Sequence, residues 1–112
     1  MEIRENNKLC IFAPLNNILN KYESDRLFSD ILNEKREIAI DLANVNDCTI
    51  DFIESLKQVA HNKKIGIFNI PSDIFVLFNT MKIDKCVELY VSELDFIENS
   101  RKLINREFSL IY

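Results

Sequence analysis

Residues 37–70, EIAIDLANVNDCTIDFIESLKQVAHNKKIGIFNI, contain the pattern that decides the fold. Two compact segments rich in β-branched residues, Glu37 to Leu42 and Ile65 to Ile70, are predicted strands. Between them, apolar residues recur at helical spacing after a loop rich in Asn and Asp. Strands that alternate with helices favour a mainly parallel sheet, so we expect an α/β fold.

The N-terminal region extends this alternation. Two strands are predicted, Glu2 to Glu5 and Leu9 to Ala13, and because Pro14 ends the second we expect both toward a sheet edge. An asparagine-rich turn follows, Asn16 to Lys21. Ser24 is the predicted N-cap of a first helix. The apolar residues of that helix are Leu27, Phe28, Ile31 and Leu32.

The predicted second helix begins at Thr49, whose side chain is expected to cap it, and Asp51 lies in its first turn. Its apolar residues run as far as Lys63 and Lys64, and they are Ile53, Leu56, Val59 and Ala60. A third helix is predicted after Pro71 and Ser72, with Ile74, Leu77, Phe78 and Met81 on one face. Val87 to Val91 is predicted as the last strand. Ser92 and Asp95 resemble a capping box that opens a final helix.

Composition limits the class of function. The chain has 112 residues, 47% of them hydrophobic and 29% charged, which suits one domain over 1–112. The net charge is -4 and no basic stripe is present, so nucleic-acid binding is disfavoured. The first eight residues are polar, and no apolar stretch is long enough for a membrane span. We therefore expect a cytoplasmic protein without direct membrane insertion.

The residues typical of metal, cofactor and catalytic sites do not form a pattern. Cys10, Cys48 and Cys86 are widely separated and are expected to be small buried hydrophobes, although a helix start beside Cys48 would favour a reactive thiolate as the alternative. His61 is expected near a helix C-terminus, without a second ligand at metal spacing. Gly66 is the only glycine, so glycine-rich phosphate loops are excluded. We expect neither a metal nor a cofactor.

Three carboxylates, Asp41, Asp47 and Asp51, are of the type used in acid/base chemistry or Mg²⁺ binding. They fall on a strand end, a loop and a helix, and no general-acid partner can be named for them. The sequence therefore favours a protein that is not an enzyme.

Three segments together resemble the STAS domain, the fold shared by anti-sigma factor antagonists and the cytoplasmic tails of sulphate transporters. They are IAIDLANV at Ile38 to Val45, KKIGIFNI at Lys63 to Ile70, and FVLFNTMKIDKCVELY at Phe75 to Tyr90. The resemblance covers about residues 8–100. It implies a four- or five-stranded mixed sheet with about four helices mainly on one face, used as a regulated protein-docking module.

The resemblance also implies a control site, from which this sequence departs. Family members carry Asp-Ser-Ser-Gly or a close variant before the second helix, with the first hydroxyl phosphorylated. Counting without gaps from Asp41 places Ile50 at the acceptor position, and isoleucine has no hydroxyl. A slip of one residue makes Thr49 the candidate phospho-acceptor instead. The alternative role of Thr49 is the helix cap.

Two apolar features lie outside the predicted core. Val76, inside the run Ile74 to Phe78, points away from the core face of its helix, as an incidental surface residue or as a contact. From about residue 100 a C-terminal helical extension is predicted. Its stripe of 3-4-3-4-3 spacing either packs locally or contacts a second subunit or partner, and comprises Leu94, Ile97, Arg101, Ile104, Phe108 and Ile111.

The favoured function is a non-catalytic regulatory module that binds another protein, such as a switch kinase or an anti-sigma factor. The alternative is an accessory STAS subunit of a membrane lipid-transport complex, with a transporter subunit as partner. A homodimer is a further open alternative. The predicted contact lies in the loop and helix start at 45–56, and its residues are Asn46, Asp47, Cys48, Thr49, Ile50 and Asp51, with Val76.

Overall fold

The computed structural model describes residues 1–98 and the backbone of 102–104 and 109–111. In chain order, the elements of these residues are β1 (Glu2–Glu5), β2 (Leu9–Ala13), β3 (Ile18–Leu19), α1 (Lys21–Asn33), β4 (Glu37–Asp41), β5 (Asp47–Cys48), α2 (Ile50–Ala60), β6 (Ile65–Phe68), α3 (Ser72–Thr80), a 3-10 turn (Ile83–Lys85), β7 (Glu88–Leu89), α4 (Glu93–Ile97), β8 (Lys102–Ile104) and β9 (Ser109–Ile111).

The main sheet has five strands in the order β1-β2-β4-β6-β7. β1 is antiparallel to β2, whereas β2, β4, β6 and β7 are mutually parallel. The predicted α/β class with a mixed sheet is therefore confirmed. β1 lies at one edge, as expected, and β4 is the central strand.

The two faces of the sheet are covered differently. Ile38 and Ile40 of β4 point to a first face, where they pack with residues of α1, α2 and α3. Ala39 points to the second face, where Phe96 of α4 packs against the sheet. Three helices on one face and a single short helix on the other agree with the predicted arrangement.

The start of α1 differs from the prediction. The N-cap is Asn20, whose Oδ1 accepts a hydrogen bond from the Glu23 N–H at 3.0 Å. Ser24 lies inside the helix, fully buried, and its hydroxyl donates to the Asn20 carbonyl at 2.7 Å. The expected cap at Ser24 is wrong because the helix begins one turn earlier. Leu32, the last of the apolar residues named for this helix, is 49% exposed.

Several predicted elements are present but shorter. α2 ends at Ala60 with His61 as C-cap, before Lys63 and Lys64. β6 ends at Phe68, because Asn69 adopts a positive φ of 54° and turns the chain. The strand predicted at 87–91 is confined to Glu88–Leu89. No helix among the described residues is long and apolar enough to cross a membrane.

The C-terminal region contradicts the predicted helix. Ser92 Oγ accepts from the Asp95 N–H at 3.2 Å, so the predicted cap is confirmed, but α4 ends at Ile97. Residues 102–104 and 109–111 pair as antiparallel strands, so the helical stripe does not continue through Ile104 and Ile111. Strand pairing overrides the apolar spacing there. Arg101 and Phe108 lie outside the described residues.

Candidate docking surface

The predicted contact loop lies beside the chain that follows β2. β3 and β5 form a separate parallel pair, in which Ile18 is opposite Asp47 and Leu19 is opposite Cys48. The Asp47 N–H donates to the Asn17 carbonyl at 3.1 Å, and the Thr49 N–H donates to the Leu19 carbonyl at 3.0 Å. The loop is thereby fixed to a second segment of the chain.

Side chains alternate between the interior and solvent across this pair. Leu19 and Cys48 are buried in the core of the first face. Val45 is buried in the same core and attaches the loop to it. Ile18 is 54% exposed, and its partner Asp47 is also exposed. The next apolar residue, Ile50, begins α2 and is 50% exposed. This hydrogen-bonded segment therefore presents two isoleucines to solvent. We call Ile18, Asn46, Asp47, Ile50 and Asp51 the docking surface.

The predicted contact residues separate into two groups. Asn46, Asp47, Ile50 and Asp51 are exposed on one continuous segment. Val76, 53% exposed, points to solvent as expected and lies on α3, a helix that contacts β5. Cys48 differs from the others because β5 turns its side chain into the core, where it is buried.

Thr49 occupies the N-cap position of α2 without acting as a side-chain cap. Its hydroxyl makes no hydrogen bond to the first turn and instead donates to the Leu19 carbonyl at 3.2 Å. The expected capping bond is therefore wrong. The backbone N–H of Thr49 donates to the same carbonyl, so this half-buried residue joins the start of α2 to the end of β3.

The cysteines are free and differ in burial. Cys10 and Cys48 are buried, as predicted, whereas Cys86 is exposed, against the prediction. Burial, with a smaller effect of Asp47, raises the pKa of Cys48 to about 12. Both effects oppose the reactive thiolate that was the alternative for Cys48.

Asp41, at the end of β4, is held by three donors. Arg4 donates at 2.8 Å, the Ala43 N–H at 2.9 Å and the Asn69 side-chain amide at 3.1 Å. Burial opposes ionisation of Asp41, but these hydrogen bonds outweigh it and lower the pKa. An ionised carboxylate that accepts three hydrogen bonds, one of them from Arg4, is typical of a structural ion pair. In the described part of the chain, no three acidic, His or Cys side chains are grouped to hold a metal ion.

Sequence reasoning missed the contribution of the segment after β2. Leu15, Ile18 and Tyr22 are each more than half exposed. They lie in or beside the segment predicted as an asparagine-rich turn, Asn16 to Lys21. The signal was the presence of large apolar residues among turn formers, which becomes informative only once β3 is known to pair with β5.

Neither the protein-family models nor the curated proteins compared with this sequence give a match. The functional conclusion therefore depends on the geometry of the docking surface and on the sequence resemblance.

Proposed function

We propose that this protein is a non-catalytic, cytoplasmic regulatory module that binds a partner protein through the docking surface. The observation that carries the proposal is the pairing of β3 with β5, which holds exposed Ile18 beside the loop that leads to exposed Ile50. Exposed apolar side chains on a hydrogen-bonded backbone, with polar neighbours, are typical of the centre of a protein interface.

The charges around the helix starts favour a protein partner over a phosphate-containing ligand. Glu23, Asp51 and Asp73 lie in the first turns of α1, α2 and α3. These carboxylates compensate the positive ends of the helix dipoles, and they repel a phosphate that approaches the same ends.

The resemblance to STAS domains is part of the same proposal. A five-stranded mixed sheet with three helices on one face has the form that the resemblance implies. Two segments that carry the resemblance, around β4 and β6, are adjacent parallel strands. On this view, the loop between β4 and α2 corresponds to the control loop of the family.

We further propose that this control loop works without phosphorylation. Ile50 is at the acceptor position in the gap-free register and has no hydroxyl. The candidate acceptor Thr49 uses its hydroxyl to bind Leu19, and a phosphate there would break that hydrogen bond. Exposed Asp47 and Asp51 flank it and add like-charge repulsion.

Affinity capture from the native cell tests the proposal. Wild-type protein is compared with Ile50→Asp, which removes an exposed apolar contact but places a carboxylate in a favourable helix first turn. We expect a partner that wild type retains and Ile50→Asp loses. A switch kinase or an anti-sigma factor as that partner supports a signalling role, whereas an ATPase subunit supports the transport-complex alternative.

The matched control is Leu32→Asp, since Leu32 is 49% exposed and lies outside the docking surface. Loss of the partner in both variants, or in neither, contradicts docking through Ile50.

A further inference from the structure

Each exposed isoleucine of the docking surface has a carboxylate beside it. Ile18 on β3 lies directly opposite Asp47 on β5. Ile50 is followed on α2 by Asp51, and Glu54 comes four residues later, so it lies on the same side of the helix one turn further on. Glu54, like Asp47 and Asp51, is exposed. Aliphatic side chains and carboxylates are therefore neighbours at both isoleucines.

The charge in this region is of one sign. Residues 43–56 contain Asp47, Asp51 and Glu54 and no Lys, Arg or His, and the segment 14–20 on the β3 side has no charged residue. None of the three carboxylates forms an ion pair with a described residue. Acidic residues elsewhere do form ion pairs with Lys or Arg, and they include Asp25, Glu34, Asp41 and Glu88. The docking surface therefore carries negative charge that the described part of the chain does not neutralise.

Local structure explains only one of these three carboxylates. Asp51 lies in the first turn of α2, where it compensates the helix dipole. Glu54 lies beyond that turn, where the effect of the dipole is small. Asp47 precedes the helix, and its Oδ1 accepts a hydrogen bond from the Cys48 N–H at 2.8 Å, which an uncharged amide oxygen would accept as well. The fold of this region therefore does not depend on the charges of Asp47 and Glu54.

An aliphatic side chain next to a carboxylate matches the chemistry of lysine and arginine. Both residues have an apolar stem, which packs on aliphatic surface, and a cationic head, which binds a carboxylate. Nucleic acid or an anionic membrane would be repelled by the same carboxylates. The docking surface therefore fits a protein segment that combines cationic and aliphatic side chains.

We infer that the docking surface binds a cationic amphipathic segment of its partner, in which Lys or Arg stands beside aliphatic residues. The aliphatic groups of the segment pack on Ile18 and Ile50, and its cationic heads bind Asp47 and Glu54. The inference rests on the proposed function, since it names the chemistry of the partner that the docking surface binds. The apolar contacts determine how long the complex lasts, whereas the carboxylates raise the rate of association and make it dependent on salt.

Peptide selection tests the chemistry of the partner. A phage-displayed library of random linear peptides is selected on the wild-type chain, and peptides that also bind Ile50→Asn, which removes the apolar contact without adding charge, are discarded. We expect the remaining peptides to be enriched in Lys and Arg next to Leu, Ile or Val. Neutral or acidic peptides among them, without this enrichment, would overturn the inference and leave docking through Ile50 intact. A selection without any Ile50-dependent peptide would contradict the proposed function itself.

A pair of matched double variants tests the two carboxylates. Asp47→Asn with Glu54→Gln keeps the shapes of the side chains and removes two negative charges from the region of the docking surface. The control is Glu37→Gln with Glu98→Gln, which changes the net charge by the same amount. Glu37 begins β4 and Glu98 follows α4, both are exposed, and neither belongs to the docking surface.

The most enriched peptide is titrated against wild type and both double variants by fluorescence anisotropy at about 0.1 M salt. We expect Asp47→Asn with Glu54→Gln to bind about 3- to 10-fold more weakly, the range for two partly exposed ion pairs, and the control to bind like wild type. Raising the salt to about 1 M, where the Debye length is about 3 Å, should remove most of the difference. Equal affinities of the two double variants at the lower salt concentration would overturn the inference.

Discussion

Among single residues, Ile40 is the clearest test of the core. It lies in the middle strand of the main sheet, fully buried between the neighbours Phe12 and Ile67. Ile40→Ala leaves a cavity there, and we expect it to cost roughly 2 to 5 kcal/mol of unfolding free energy. Urea denaturation measures the loss. Ile50→Ala is the control for an exposed isoleucine and should change stability by less than about 0.5 kcal/mol.

Thr49 is the candidate phospho-acceptor of the proposed control loop. Because its hydroxyl binds the Leu19 carbonyl, Thr49→Val should cost about 0.5 to 1.5 kcal/mol. Thr49→Ser keeps the hydroxyl and should retain most of the stability. Intact-mass measurement of protein from its native cell should show no phosphate. A stoichiometric phosphate at Thr49 would contradict the structural role assigned to this hydroxyl.

We expect the fold to lose stability in acid, because two carboxylates have lowered pKa values. Hydrogen bonds from Arg36 lower the pKa of Glu34 from its ordinary 4.5 to about 2, and the pKa of Asp41 is also lowered from 3.8. Because the folded values lie below the unfolded ones, both groups stabilise the fold fully above about pH 4.5. This stabilisation is lost as the pH falls toward 2. Denaturation midpoints measured across this range should fall less steeply for Glu34→Gln than for wild type.

The start of α1 gives a test at the element scale. Asn20, and not Ser29 further along the helix, accepts a backbone N–H of the first turn. Asn20→Ala should therefore cost about 1 kcal/mol, whereas Ser29→Ala, at an exposed helical position, should be close to neutral or stabilising. Equal denaturation midpoints for the two variants would show that the cap contributes nothing.

Elements with a complete local pattern were predictable from the sequence. β4, α2 and β6 each carry a full run of strand or helix spacing, and their predicted cores match the buried residues Ile38, Ile53 and Ile65. Proline and capping residues also placed the starts of α3 and α4. Local sequence therefore determined the alternation of strands and helices.

Elements that depend on pairing were not predictable. β3 and β5 have two residues each, and they exist because distant segments hydrogen-bond to one another. β8 and β9 also exist through pairing, here between neighbouring segments of the chain, and this pairing replaced the predicted helix. For this reason only part of the docking surface could be predicted. The loop was proposed from the sequence, whereas Ile18 lies beside it only because β3 pairs with β5.

In the whole molecule, the docking surface and the second face of the sheet are held in place by different contacts. The docking surface lies on segments tied together by backbone hydrogen bonds, so it is preformed. The second face is covered by α4, whose Phe96 ring packs on Gly66 and whose Glu93 binds Arg4. Preformed surfaces bind without a large ordering cost, which fits constitutive docking.

Binding of the captured partner to purified variants tests the central claim most directly. Titration calorimetry compares wild type, Ile50→Asp and Leu32→Asp, with equal denaturation midpoints required of all three. We expect Ile50→Asp to weaken binding at least about tenfold, a loss of about 1.4 kcal/mol, and Leu32→Asp to bind like wild type. An Ile50→Asp protein that binds with wild-type affinity would contradict the account.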